Sequence, residues 1–304
     1  MTSLQHLALL KRFNRSFNLR EAIRRSVTKG DHVLDAGCGV GLLSFWAAKA
    51  GASSVLGVDL ELPPSARQLA KENSLDSIVT FRQEDLWTLP APAENERVDV
   101  LIAMLYLNDP RRDEAQARLA CKVHDSWLRT GGVSIPDRIT YTMLLLEWPE
   151  HDWGNRIASL NKDVDTLEGY YGLSLSALKK GISHHPDKAQ FPFRSTDGCI
   201  QRPAARVLSE GSTFHEFRYG DADFKYPEAV NHSVGRTGTA HVVLWTQKLW
   251  FEELLLFANE SISWLNPSHP VKAGEDIQLS FGDAWRTSNT VRSMKLSTGP
   301  AAED

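Results

Sequence analysis

Cysteine is scarce: three occur in 304 residues, Cys38, Cys121 and Cys199, odd in number and widely spaced. That excludes a disulfide framework and a CxxC metal knuckle. No stretch of about 18 uninterrupted apolar residues is present, so no segment reads as a membrane-spanning helix. Positive charge is not in excess, since 34 Lys and Arg against 38 Asp and Glu leave a net charge of −4. No global cationic field is there to gather nucleic acid or anionic lipid, and neither is expected as a partner. The opening MTSLQHLALLKRFNRSF sets a short apolar stretch ahead of its basic residues, the reverse of a secretory signal. A reducing cytoplasm is therefore the expected location.

Apolar residues make up 42% of the chain and charged residues 24%, which is ordinary globular usage and excludes disorder. At roughly 150 residues per domain, the length predicts about two domains. The first half alternates two periodicities. A basic helix carrying Phe13 and Phe17 is predicted at about 4–27. A strand follows at HVLDAG (32–37), then a helix at LLSFWAAKAG (42–51) stopped by Gly51, and a strand at SVLGVDL (54–60). Pro63 and Pro64 suit the first turn of a further helix. IVTFRQED (78–85) and VDVLIAML (98–105) read as strands. A helix over 112–128 has Ala115, Leu119 and Val123 on one face and ends before Gly131 and Gly132. This order predicts an α/β unit with a mostly parallel sheet and helices on both faces.

The pattern changes after Pro136. ITYTMLLLEW (139–148), TAHVVLWTQKLW (239–250) and GEDIQLSF (274–281) are strand-like. The expected division is 1–137 and 138–304, with a partly helical insertion at about 152–200 and a disordered tail, STGPAAED.

The chemistry is concentrated in Val33-Leu34-Asp35-Ala36-Gly37-Cys38-Gly39-Val40-Gly41, a strand, a glycine loop and the start of a helix. Glycine permits positive φ and close approach of backbone to a ligand. Asp59 ends the next strand, where its carboxylate can accept hydrogen bonds from ribose hydroxyls. The G-x-G-x-G spacing differs from the G-x-G-x-x-G of dinucleotide sites, and no phosphate-loop Lys or Ser/Thr follows, so a pyrophosphate ligand is disfavoured.

VLDAGCGVGLLSFWAAKAGASSVLGVD resembles the S-adenosylmethionine site of class I methyltransferases, and most closely that of the protein arginine methyltransferases. WLRTGGVSIPDRITY, YYGLSLSALKK, TAHVV and VKAGEDI extend the similarity along most of the chain. The resemblance implies a Rossmann-like sheet followed by a β-barrel-like domain, a homodimer formed through the insertion, and S-adenosyl-L-methionine as cofactor. It implies that Asp35, Gly37, Cys38, Gly39 and Gly41 line the methionine portion, with Asp59 on the ribose and Leu60 beside it. Glu84 or Asp85 would approach the adenine amino group. Phe13 and Phe17 stand where the family has an aromatic pair closing over the cofactor, although packing alone also accounts for them.

The resemblance breaks in the loop after the fourth strand, where the family grips a guanidinium with two glutamates. Paired carboxylates hold a planar cation in a fixed orientation. Here the first of the two falls on Met104 or Leu105. The second falls on Glu114, the candidate catalytic residue, although an acid in a first helical turn is favoured by the helix dipole whatever the function. Asp109 and Asp113 are the reserves. A second departure is at Ser261-Ile262-Ser263-Trp264, where Ser263 takes the place of the family's histidine in a Thr-His-Trp loop. His184 and His185 lack a completing ligand set, and no metal is expected.

These readings predict a methyltransferase acting on a small amine, guanidine or amino-acid metabolite. The alternatives are protein arginine methylation with a rearranged loop, O- or carboxyl-methylation of a small molecule, and an inactive cofactor-binding scaffold.

Overall fold

The computed structural model of the chain describes residues 10–106, 114–149, 153–184, 205–221, 227, 229–281 and 294–298. It opens on helix α1 (Phe13–Ser26), whose buried face is Ser16, Leu19, Ala22 and Ile23. Strand β1 (His32–Ala36) follows, then α2 (Leu42–Ala50), β2 (Ser54–Asp59), α3 (Pro64–Glu72), β3 (Val79–Gln83), β4 (Val98–Ala103), α4 (Glu114–Trp127) and β5 (Leu128–Ile135). The five strands form one parallel sheet in the order β3-β2-β1-β4-β5. Strands covered on both faces need continuous apolar runs. Accordingly Val33, Leu34 and Ala36 of β1 and Val100, Leu101 and Ile102 of β4 are all buried.

The strand order reverses between β1 and β4, and such a switch point opens a crevice at the carboxyl ends of the two strands. There β1 runs into the glycine loop and β4 into Met104-Leu105-Tyr106. Gly41 caps the start of α2 with φ +85°. A Cβ at that position would lie 2.6 Å from Phe81 Cζ and 3.0 Å from Phe45 Cζ. Those two rings pack edge to face, with centroids 6.1 Å apart. Gly41→Ala combines left-handed strain, roughly 1–2 kcal/mol, with overpacking of this aromatic pair, roughly 1–3 kcal/mol. The expected loss of unfolding free energy is about 2–5 kcal/mol, read from the midpoint of urea denaturation. A midpoint unchanged from wild type would show that the rings give way freely.

The rest of the chain is antiparallel. β6 (Arg138–Glu147), β7 (Arg206–Val207), β8 (Ser212–Arg218), β10 (Gly238–Phe251) and β11 (Leu254–Val271) form one sheet. Within it β6 pairs with β7, β8 and β10, and β10 pairs with β11. β9 (Ala229–Ser233), β12 (Asp276–Phe281) and β13 (Met294–Thr298) form another. The sheets meet at an isolated bridge between Ser209 and Val234. Helices α5 (Trp153–Tyr171) and α6 (Ser176–His184) pack together within the predicted insertion. Here Leu167, Tyr170, Tyr171, Leu173 and Leu178 lie exposed, an apolar cluster large for a free surface. Helix α1 packs on one side against α2 and on the other against β11, so it joins the parallel sheet to the antiparallel one.

Candidate functional site

Gly37, Gly39 and Gly41 adopt φ of 77°, 54° and 85°, the left-handed region that a side chain disfavours. The loop is fastened to the end of β2. The Gly37 and Cys38 N–H groups donate to Val58 O at 2.8 and 3.2 Å, and the Gly39 N–H donates to Asp59 Oδ2 at 2.8 Å. The other carboxylate oxygen of Asp59 accepts from Glu61 N–H at 3.0 Å. Cys38 turns its thiol inward, against the space a Gly57 side chain would need. Burial, reinforced by the carboxylates of Asp35 and Asp59, pushes that thiol far above its ordinary range, so it stays protonated and inert.

Asp35 is 1% exposed. Ser44 Oγ donates to its Oδ2 at 2.6 Å, while Oδ1 is buried without a partner. Burial raises its pKa to about 6, a shift the Ser44 hydrogen bond offsets only in part. A buried, unpartnered carboxylate oxygen beside a left-handed glycine loop suits a cationic, hydrogen-bond-donating ligand. On the first helix, the guanidinium of Arg15 lies close enough to Asp35 for the two charges to interact. Burial, and next the repulsion of Arg12, lower the Arg15 pKa to about 10, so it remains charged at neutral pH. Among the described residues the Arg15 guanidinium makes no ion pair or hydrogen bond, and it lies over the ring of Phe257. Sequence reasoning passed over this residue, yet its signal was present: Arg15 stands four residues before Leu19, on the stripe that continues through Ala22 and Ile23.

Past Asp59, Leu60 is exposed. The Glu84/Asp85 alternative separates on geometry. Asp85 Oδ1 accepts from Trp87 N–H at 2.9 Å and is engaged in its own turn, whereas Glu84 donates its N–H to Asp59 O at 3.2 Å and keeps its carboxylate uncommitted among the described hydrogen bonds. Phe13 and Phe17 are exposed on α1 with ring centroids 6.4 Å apart.

On the β4 side, Leu105 lies over the glycine loop: its Cδ2 is 2.7 Å from where a Gly37 Cβ would stand. Met104 packs against the core. The Tyr106 hydroxyl hydrogen-bonds that of Tyr219, which follows β8, and Tyr219 also packs on His124 of α4. Burial lifts the Tyr219 phenol well above its usual range, so it stays neutral. Glu114 opens α4 with a side chain only 15% exposed, and its carboxylate accepts from Arg118 at 2.7 Å. Asp109, Asp113 and His185 lie outside the described residues, as does the side chain of His184. Among the described residues no group of three or more His, Cys, Asp or Glu is placed to hold a metal. Ser263 sits inside the antiparallel sheet, accepting from Trp245 Nε1 at 3.0 Å. β11 reaches α1 elsewhere, at Leu255 and at Phe257, the latter with Arg12 and Arg15 over its ring.

A family model described as a methyltransferase domain matches residues 33–132, the segment from β1 to the middle of β5. Among curated proteins, a probable protein arginine N-methyltransferase 6.1 of Oryza sativa subsp. indica is 31% identical over 197 residues, 60% of this chain and 46% of that protein. Protein arginine N-methyltransferase 1 of Chlamydomonas reinhardtii is 28% identical over 149 residues, 49% of this chain and 40% of that protein. The chain thus spans under half the length of these relatives. Among solved structures, the Trypanosoma brucei PRMT1 enzyme–prozyme heterotetrameric complex with AdoHcy superposes with a TM-score of 0.72 over 98% of this chain and 94% of its own, at 18% identity. Protein arginine methyltransferase 10 of Arabidopsis thaliana gives 0.62 over 90% and 83%, at 21% identity. At these identities the structural likeness speaks for the fold, which is that of a Rossmann-like sheet joined to an antiparallel β domain. Residues 33–132 are a class I S-adenosylmethionine-dependent methyltransferase domain, in a chain most similar to the protein arginine methyltransferases.

Proposed function

We propose that the chain is an S-adenosylmethionine-dependent N-methyltransferase, and that its acceptor is the guanidinium of a protein arginine. The cofactor part of the reading is carried by one juxtaposition: the unpartnered Oδ1 of Asp35, just ahead of a left-handed glycine loop, and the unspent guanidinium of Arg15 within electrostatic reach of Asp35. An anion and a cation so placed match the ammonium and the carboxylate of an α-amino acid. Asp59 would take the ribose hydroxyls and Glu84 the adenine amino group. When bound, S-adenosylmethionine supplies a methyl group on a sulfonium, already an electrophile. The protein's own task is to hold the acceptor nitrogen in line, exclude water and orient the cation. A guanidinium, with a pKa above about 12, must shed a proton during transfer, and Glu114 is the carboxylate to which we assign orienting it and sharing the departing charge.

The protein-arginine acceptor is favoured by the names of the relatives. A smaller or less charged amine is the second reading, favoured by Leu105 over Gly37 and by Arg118 already occupying Glu114. We also propose a homodimer through the exposed cluster on α5 and α6; a gel-filtration mass near one subunit would defeat it. Methyl transfer from radiolabelled S-adenosylmethionine, assayed against an arginine-rich peptide, free arginine and simple amines, separates the acceptor readings. Label on the peptide is the expected result, label only on small amines favours the second, and absence of cofactor binding sinks both.

The raised Asp35 pKa also has a pH consequence. Its folded value, about 6, lies above the unfolded value of 3.8, so Asp35 stabilises the fold most below about pH 4, and that contribution is lost as pH rises towards 6. Binding an ammonium group runs the other way, because a proton must first leave. Affinity for S-adenosylhomocysteine is therefore expected to fall about tenfold per pH unit below pH 6 and to level off above it. Calorimetric titration from pH 5 to 7.5 measures this. Asp35→Asn should bind weakly with a flat profile, and a flat wild-type profile would remove Asp35 from the site.

A further inference from the structure

We propose that Phe257, on strand β11 of the antiparallel sheet, is a positioning residue for the cofactor's amino-acid end: its ring face holds the Arg15 guanidinium ready for a carboxylate. The inference rests on the cofactor reading above and adds a residue from the other half of the chain.

The ring of Phe257 is 9% exposed. Arg12 Cζ lies 5.3 Å and Arg15 Cζ 5.6 Å from its centroid. Both cations are gathered on one neutral ring. A face of π electrons attracts a cation without contributing a counter-charge. A carboxylate in place of Phe257 would consume the planar N–H fork of Arg15, and an aliphatic side chain would pack without electrostatic attraction. The aromatic ring fixes the guanidinium and leaves its donors unspent, as an anion-receiving arginine requires. Two further ties hold α1 to the same stretch of β11: Asn18 Nδ2 donates to Leu255 O at 2.8 Å, and Arg25 stands 3.9 Å from the Glu252 carboxylate at the strand's approach. These ties hold α1 against β11 and its approach, and with it the position of Arg15 relative to Asp35.

The test compares two ligands on the full chain by calorimetric titration. S-adenosylhomocysteine carries the amino-acid end, and 5′-methylthioadenosine is the same nucleoside thioether without it. Phe257→Leu keeps the apolar volume and removes the ring face; Phe257→Tyr restores the face. The expected result is an affinity of Phe257→Leu for S-adenosylhomocysteine about tenfold below wild type, methylthioadenosine affinity within twofold of wild type, and recovery in Phe257→Tyr. Arg15→Gln should reproduce the selective loss, and adding Phe257→Leu to it should cost little more. Equal weakening of both ligands would reduce Phe257 to a packing residue and overturn the proposal, as would unchanged binding of S-adenosylhomocysteine. Failure of the wild-type chain to bind either ligand would remove the cofactor reading itself, an outcome distinct from the other two.

Discussion

Asp59→Ala is expected to weaken S-adenosylhomocysteine binding by roughly 100-fold. Two hydrogen bonds from ribose hydroxyls to a charged carboxylate contribute about 1.5 kcal/mol each at the low end of their range, and about 2.7 kcal/mol corresponds to a factor of 100. The same side chain also fastens the loop, through the Gly39 and Glu61 N–H groups, so alanine frees the glycine loop as well. Asp59→Asn separates the roles. It retains an acceptor oxygen for Gly39 while losing the charge, and a loss nearer tenfold is expected. Calorimetry gives the affinities, and thermal unfolding shows whether the variants remain folded. Binding by Asp59→Ala within about threefold of wild type would be incompatible with a ribose-holding role.

Glu114→Gln is expected to lower kcat/KM for methyl transfer by a factor of roughly 10²–10³, within the range for a positioned acid or base, with cofactor affinity changed less than twofold. The stability change is too small to account for such a loss, because an i,i+4 pair with Arg118 contributes only about 0.3–0.5 kcal/mol. Gln keeps the shape and one acceptor but cannot draw charge from the departing proton. Initial rates with labelled cofactor and saturating acceptor measure the effect. Turnover equal to wild type would leave Glu114 as a helix-start acid paired with Arg118.

The parallel half was legible because its signals are local. The apolar run of β1, the left-handed glycines and the acid ending β2 lie within one stretch, and the structure places them at a strand-order reversal. Helix α4, predicted over 112–128, spans Glu114–Trp127. Two of the remaining features were local but needed a different question. Arg15 was readable only by asking which face of α1 is buried, and the Arg118 partner of Glu114 is an i,i+4 relation. The rest was not local. In β11, LLLFANESISWLNPSHPV lacks a clean two-residue alternation, and its pairing with β10 carries a register shift opposite Leu249 and Trp250. The resemblance drew attention to Ser263, while the contact with α1 falls at Phe257, a choice fixed by the path of the strand.

The hydrogen bond from Asn18 to Leu255 joins residues 237 positions apart. Contacts of such long range form late, because the loop they close must first be brought together at an entropic cost. Helix α1 is synthesised more than 200 residues ahead of the β11 strand that receives it. The division expected at residue 137 is thus crossed by the packing of α1 on β11. An N-terminal fragment ending there would keep the glycine loop and Asp59 but leave bare the side of its first helix that β11 covers.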